Sequence, residues 1–160
     1  MGGERCSFSK ETEEGMARIA AILDTNIFLN VKNREEPFFE HSLKILTAAE
    51  DGGIDAFVSA ITVAELCTGY YEQGDESGAR DMAQNFMTDS RYKVVDVNIE
   101  IADMAGDIRC KTRLPLPDSL IVASGVASKA QYLISHDVSF EKAKHIIRPV
   151  SSRTLCSLLD

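Results

Sequence analysis

Short apolar segments alternate with longer amphipathic stretches along this chain. The first apolar segment, residues 19–24, ends in an acidic residue, and it predicts a buried strand that closes near Asp24. Segments rich in β-branched and aromatic residues predict four further strands, at residues 55–62, 92–98, 131–137 and 145–150. A segment with helical character separates each predicted strand from the next.

The amphipathic stretches predict the helices. Pro37 opens one of them, and four residues at helical spacing form its predicted buried face: Phe38, Leu43, Leu46 and Ala49. Thr62 followed by Glu65 fits a capping box, which predicts that the next helix begins at Thr62. The remaining predicted helices cover residues 76–89, 99–112, 117–130 and 151–160, with a short helical segment at 139–144.

This alternation of strands and helices predicts an α/β fold. Strands separated by helices favour a parallel sheet of about five strands with helices on both faces. In such sheets, binding sites form beyond the carboxyl ends of the strands. The residues that follow each strand are therefore the first place to look for chemistry.

Four acidic residues lie at such junctions, each beside an apolar segment: Asp24, Glu65, Asp118 and Asp137. A carboxylate next to buried apolar surface is costly unless a cation compensates it. Converging carboxylates would also repel one another, and a divalent ion such as Mg²⁺ or Mn²⁺, which prefers oxygen ligands, would relieve that repulsion. The pattern predicts a metal-dependent enzyme that acts on phosphate esters.

Each acid also has an ordinary structural explanation. Asp24 fits a helix N-cap after a strand, and Asp137 fits a turn residue. Asp118 follows two prolines in the first turn of a helix, where an acid favours the helix dipole. Glu65 fits the capping box with Thr62. Only the combination of the four distinguishes a metal site from these local roles.

Composition limits the choice of function without deciding it. The 160 residues suit one domain with its own core, and no apolar run approaches the length of a membrane span. The net charge of −8 argues against a broad electrostatic attraction to nucleic acid. It does not exclude a nuclease, because acids around a metal contribute to that charge. The four cysteines are far apart and show no metal-binding spacing.

The amino-terminal segment differs from the rest of the chain. Residues 1–15 are polar and lack periodicity, which predicts a flexible extension ahead of a domain at residues 16–160. No apolar core of a secretory signal is present there, so the cytoplasm is the expected compartment. Met16 stands just before the first patterned segment and is an alternative start.

From about Ile22 to the carboxyl terminus, the sequence resembles the PIN-domain family, in particular the VapC-type ribonuclease toxins. The resemblance rests on four segments: LDTN at Asp24, SAITVAELCTG around Glu65, LPLPDSLIVASGVA around Asp118, and LISHDVSF around Asp137. It implies a compact three-layer α/β/α nuclease that cuts RNA with Mg²⁺ or Mn²⁺ bound by these four acids. Thr25, Asn26 and Ser135 would help to shape the site.

The resemblance also implies partners. A toxin of this kind would be a homodimer and would be inhibited by an antitoxin, and the acidic chain favours a basic antitoxin segment. An RNA-processing nuclease and a catalytically silent PIN-like binding module remain alternatives. A phosphatase of the haloacid-dehalogenase type is a weaker alternative, because such enzymes carry a second Asp two residues after the first, where this chain has Asn26.

Overall fold

The computed structural model describes residues 17–89 and 91–160. The predicted extension at residues 1–15 and the alternative start at Met16 lie outside the described residues. The described part contains one parallel five-stranded sheet in the order β3-β2-β1-β4-β5. Its strands are β1 (Ile19–Leu23), β2 (Ile54–Ser59), β3 (Tyr92–Val95), β4 (Tyr132–Ile134) and β5 (Arg148–Val150). The predicted parallel α/β fold is thus confirmed.

The described residues also form seven α-helices and one 3₁₀ helix, and all but the last helix, α7, lie between strands. The helices are α1 (Thr25–Lys32), α2 (Phe39–Glu50), α3 (Ala60–Glu72), α4 (Glu76–Thr88), α5 (Ile99–Thr112), α6 (Leu116–Ala127) and α7 (Ser152–Leu159). The 3₁₀ helix covers Val138–Ala143. None of these helices is long and apolar enough to cross a membrane.

The sheet separates two hydrophobic cores, which makes the architecture a three-layer α/β/α sandwich. Period-two alternation along β1 sends Ile22 to one face and its neighbours Ala21 and Leu23 to the other. On the first face Ile22 packs with residues of α5, α6 and the 3₁₀ helix. On the second face Leu23 packs with residues of α1, α2 and α7.

The order of the strands changes direction between β1 and β4. The chain builds outward from β1 to β2 and β3, then returns through α5 and α6 to place β4 on the other side of β1. The two central strands are in register, with Leu23 opposite Ile134. Such a switch point leaves a crevice at the carboxyl ends of the two strands, where α/β proteins bind ligands.

Two local predictions were wrong. Strand β2 ends at Ser59, and α3 begins at Ala60 with Ser59 as its N-cap, so Thr62 lies inside the helix and forms no capping box. The buried face of α2 consists of Ser42, Ile45 and Ala49, whereas Phe38 and Leu43 are exposed. In both places local spacing fitted more than one arrangement, and packing on the sheet selected another one.

Candidate active site at the carboxyl edge of the sheet

Asp24 is the most buried of the four predicted acids, with 7% of its surface exposed. It follows β1 directly and serves as the N-cap of α1, so its proposed local role is real. Its Oδ1 accepts a hydrogen bond from the backbone N–H of Thr25 at 2.8 Å. Its Oδ2 accepts one from the hydroxyl of Ser135 at 2.6 Å. Both oxygens are therefore held in fixed positions at the switch point.

Ser135 links the loops that follow β1 and β4. While its hydroxyl donates to Asp24, its oxygen accepts from the Nδ2 of Asn26 at 3.1 Å and from the backbone N–H of Asp137 at 2.9 Å. Two donors occupy the lone pairs of Ser135, so its own proton is directed to the carboxylate of Asp24. This buried serine thus fixes the relative position of the first and the last predicted acid.

Asp137 lies on the exposed rim of the same edge. Its Oδ1 accepts from the backbone N–H of Ser139 at 2.9 Å and caps the 3₁₀ helix, which is the turn role considered from sequence. The other carboxylate oxygen has no hydrogen bond within the described protein. Asp137 therefore presents one free oxygen at the crevice.

Glu65 and Asp118 approach from the two sides of the crevice. Glu65 lies one turn into α3, after β2, and Asp118 lies in the first turn of α6. Asp118 is half-buried, while Glu65 is exposed on the outer wall. Neither forms an ion pair with a Lys or Arg side chain of the described protein. Both carboxylates are therefore available to a ligand.

The acids influence one another electrostatically. Burial raises the pKa of Asp24 to about 6; the hydrogen bonds from Ser135 and Thr25 oppose this rise, and the charges of Asp118 and Glu65 add to it. Burial and then the charge of Asp118 raise the pKa of Glu65, while hydrogen bonding by Thr25 lowers it. Burial and the charge of Asp137 raise the pKa of Asp118. Asp24, Glu65 and Asp118 thus influence one another, and Asp137 is coupled to them through Asp118.

A layer of small buried polar side chains supports the acids from below. The hydroxyl of Thr25 donates to that of Thr62 at 3.2 Å and joins α1 to α3. The hydroxyl of Ser124 donates to that of Ser59 at 2.9 Å and joins α6 to the end of β2. These contacts were not predicted from the sequence. They position the helices that carry Glu65 and Asp118.

His136 is a second feature that the sequence did not reveal. Its Nε2 lies 3.3 Å from the hydroxyl of Ser42 and 3.1 Å from that of Ser152, both of which are fully buried. Its ring stacks on Phe38 with 4.3 Å between ring centroids. Burial, assisted by His41, lowers the pKa of His136 and favours a neutral ring. Since its partners come from α2 and α7, no local pattern indicated this role.

The donor set suits a hard divalent cation, because carboxylate oxygens are the ligands that Mg²⁺ and Mn²⁺ prefer. In addition, the Oδ1 of Asn26, next to Ser135, is buried and has no hydrogen-bond partner among the residues that the structure describes, which leaves one more oxygen for a ligand. Across residues 17–89 and 91–160, however, no three Asp, Glu, His or Cys side chains are already grouped closely enough to hold a metal. The chemistry and charge fit an ion, which would have to draw the four carboxylates together.

Comparison with known proteins agrees with this architecture. The model of the PIN domain matches residues 21–146. A toxin–antitoxin complex from Klebsiella pneumoniae is 22% identical, covers 83% of this chain and 98% of its own, and has a TM-score of 0.61. FitAcB from Neisseria gonorrhoeae is 19% identical, with coverage of 83% and 98% and a TM-score of 0.62. VapC20 from Mycobacterium tuberculosis, a toxin that cleaves the sarcin-ricin loop, is 13% identical, with coverage of 78% and 95% and a TM-score of 0.64.

At these identities the solved structures establish a shared fold and nothing finer. None of the curated proteins matches this chain. The family model, by contrast, spans most of the 160 residues and includes the positions of all four predicted acids. The chain belongs to the PIN domain family.

Proposed function

We propose that this chain is a divalent-metal-dependent endoribonuclease and the toxin of a toxin–antitoxin pair. The observation that carries the proposal is that pairwise charge coupling links Asp24, Glu65, Asp118 and Asp137, which come from four different elements at the carboxyl edge of the sheet. Family membership supports it, and so do the solved relatives, which include a toxin–antitoxin complex and a toxin that cleaves the sarcin-ricin loop. Membership of the PIN domain family also disfavours the phosphatase alternative.

In this proposal the four acids hold Mg²⁺ or Mn²⁺ while RNA supplies further oxygen ligands. The bound ion would make water a better nucleophile and neutralise charge that develops on the phosphate. The chain's own part is to keep the acids ionised and oriented. The N–H of Thr25 and the hydroxyl of Ser135 favour the charged form of Asp24, against the effect of burial. Asn26 offers its free Oδ1 beside them.

The proposed partners are an RNA substrate, an antitoxin and a second copy of this chain. RNA is the substrate, and single-stranded or looped RNA is favoured because its bases and backbone are accessible. The net charge of −8 suits an antitoxin whose basic segment, with an Arg near the acids, replaces the cation and blocks the crevice. We further propose a homodimer in the cytoplasm, with residues 16–160 as the nuclease domain.

RNA cleavage is the direct test. Purified protein is incubated with total RNA in Mn²⁺, Mg²⁺ or EDTA, and new 5′ ends are mapped. We expect cleavage in either metal, none in EDTA, and none with Asp118→Asn. The exposed Asp103 of α5 provides the matched control, and Asp103→Asn should cleave normally. Well-folded protein that leaves RNA intact in both metals would favour the silent binding module, and cleavage that is equal in EDTA would exclude metal dependence.

A paired expression experiment separates a toxin from a processing enzyme. Expression of the native chain should slow growth of a bacterial host, and Asp24→Asn should relieve the effect. Harmless accumulation of an active nuclease would assign the chain to RNA processing instead. This result concerns only the biological role, because the cleavage assay already decides the chemistry.

A further inference from the structure

A groove of about 560 Å³ runs from the crevice along β5, from Val150 at its carboxyl end to Arg148 at its start. We call it the His136 groove; its walls include Phe38, Ser135, His136, Asp137, Arg148 and Thr154. Ser135 and Asp137 belong also to the candidate active site, so the two spaces are continuous. A strand of RNA with its phosphate at the acids would extend directly into this groove.

We propose that the His136 groove holds the nucleotide next to the scissile phosphate, with its base stacked on Phe38 and its phosphate near Arg148. The inference rests on the proposed ribonuclease function and specifies how the substrate is held. Single-stranded nucleic acids are bound by aromatic side chains on which bases stack, combined with basic side chains that follow the backbone. The groove provides one aromatic side chain, Phe38, and one basic side chain, Arg148.

Phe38 is prepared for stacking. Phe38 has 38% of its surface exposed, so part of the residue is accessible to a ligand. The Phe38 ring lies against the ring of His136, with 33° between the planes. His136 is in turn held by the two buried serine hydroxyls, so the pair of rings has little freedom to rotate. A base would therefore meet a preorganised surface, which lowers the entropy cost of binding.

Arg148 supplies the positive charge. Its guanidinium lies over the ring of Tyr132, 5.5 Å from the ring centroid, which orients the side chain without neutralising it. No acid of the described residues forms an ion pair with it, although Glu141 lines the same groove. Glu141 and the free oxygen of Asp137 would repel the phosphate of this nucleotide if it lay close to them. This repulsion favours a position at Arg148. A protein segment rich in Asp or Glu would be disfavoured for the same reason.

The test uses a short single-stranded RNA that contains a mapped cleavage site. We expect Phe38→Ala to raise KM roughly tenfold with kcat changed by less than a factor of two, because stacking on one aromatic ring stabilises a bound base by about that factor. Phe38→Leu keeps an apolar side chain but lacks a π face, so it should resemble Phe38→Ala. Phe38→Trp should keep KM within about twofold. Leu43→Ala, an equally exposed apolar residue on α2, is the matched control and should leave KM unchanged.

The role of Arg148 is tested by measuring how KM depends on salt concentration. Arg148→Ala should raise KM and reduce the slope of log KM against log salt by about 0.7, the value expected for one lost phosphate contact on a single strand. Lys129→Ala, which removes an exposed cation at the end of α6, should leave the slope as in the native chain. An unchanged slope in Arg148→Ala would overturn the assignment of Arg148.

Binding distinguishes failure of the groove from failure of the proposed function. The same RNA carries 2-aminopurine next to the cleavage site, and its fluorescence is measured with the Asp118→Asn chain. Stacking in the groove should quench the fluorescence, and Phe38→Ala in that background should restore it. Quenching that does not depend on Phe38, or an unchanged KM in Phe38→Ala while the native chain cleaves RNA, would overturn the inference. If the native chain cleaves no RNA, the proposed function fails, and the groove is then decided by whether a single-stranded RNA with 2-aminopurine at an internal position is quenched in a manner that depends on Phe38.

Discussion

Asp24→Asn should change how the stability of the metal-free protein depends on pH. The pKa of this carboxyl rises from 3.8 to about 6 on folding, mainly because it is buried. One pKa unit corresponds to about 1.4 kcal/mol. Ionised Asp24 therefore costs the folded chain about 3 kcal/mol relative to its protonated form.

The direction in which stability changes with pH follows from proton binding at Asp24. Between the unfolded and folded pKa values, the native state binds more protons at Asp24 than the unfolded state does, so the free energy of unfolding falls as pH rises. The contribution of this residue is fully present below pH 3.8 and is lost as pH passes about 6. From pH 4.5 to pH 7.5 the native chain should lose about 2 kcal/mol through Asp24, since part of the total is lost below that window. The amide side chain of the Asp24→Asn variant cannot ionise, so the variant lacks this loss.

The substitution also has a constant cost. An amide in place of the carboxylate can accept from either Thr25 or Ser135, but its NH₂ group then faces the other donor. One hydrogen bond of about 1 kcal/mol is therefore lost at every pH. Adding the two effects, we expect Asp24→Asn to be less stable than the native chain at pH 4.5 and about equally or more stable at pH 7.5.

Urea unfolding in EDTA at the two pH values measures this difference. The gap in free energy of unfolding between variant and native chain should shift by about 2 kcal/mol in favour of the variant as pH rises. Asp103→Asn, an exposed control on α5, should show no such shift. A gap that stays constant from pH 4.5 to pH 7.5 would refute the conclusion that burial holds the pKa of Asp24 near 6.

Three further predictions concern the cluster and its partners. Asp118→Asn should abolish cleavage while leaving the melting temperature in EDTA unchanged or higher, since it removes one of several repelling charges; loss of fold and activity together would support a purely structural role. Ser135→Ala removes a hydrogen bond that lowers the pKa of Asp24, so the acidic limb of the pH–rate profile should move to higher pH, and Ser135→Thr should restore it; an unmoved limb in both would contradict this. Light scattering should show a homodimer, and a strictly monomeric protein would count against that proposal.

Much of the fold could be predicted because hydrophobic periodicity is local information. The helix at 99–112 matches the structure at both ends, and each of the five strands was located. Strand order was not predicted, because it depends on which faces pack together. The end of β2 was misplaced since Ala60, Ile61 and Thr62 are as compatible with a strand as with the first turn of a helix.

The candidate site, like the fold, could be predicted only in part. The four acids could be proposed from the sequence because each stands at the boundary of an apolar segment. Their supporting contacts were not, because residues such as Asn26 and Ser135 meet across 109 positions of sequence. His136 is the clearest example, since its two serine partners come from helices on opposite sides of it in the chain.

The local and the catalytic interpretations of the acids are compatible, and their energies are consistent with the proposed cation. Asp24 and Asp137 cap helices, and Asp118 lies in a first helical turn, so three of the four acids have favourable helix-end positions. A helix end stabilises such a charge by about 0.3–1 kcal/mol. At Asp24 the cap hydrogen bond from Thr25 already contributes, and ionisation of the buried carboxyl still costs about 3 kcal/mol. Helix ends therefore position the carboxylates without neutralising them, and the remaining charge is what the proposed metal ion, or the Arg of an antitoxin, would balance.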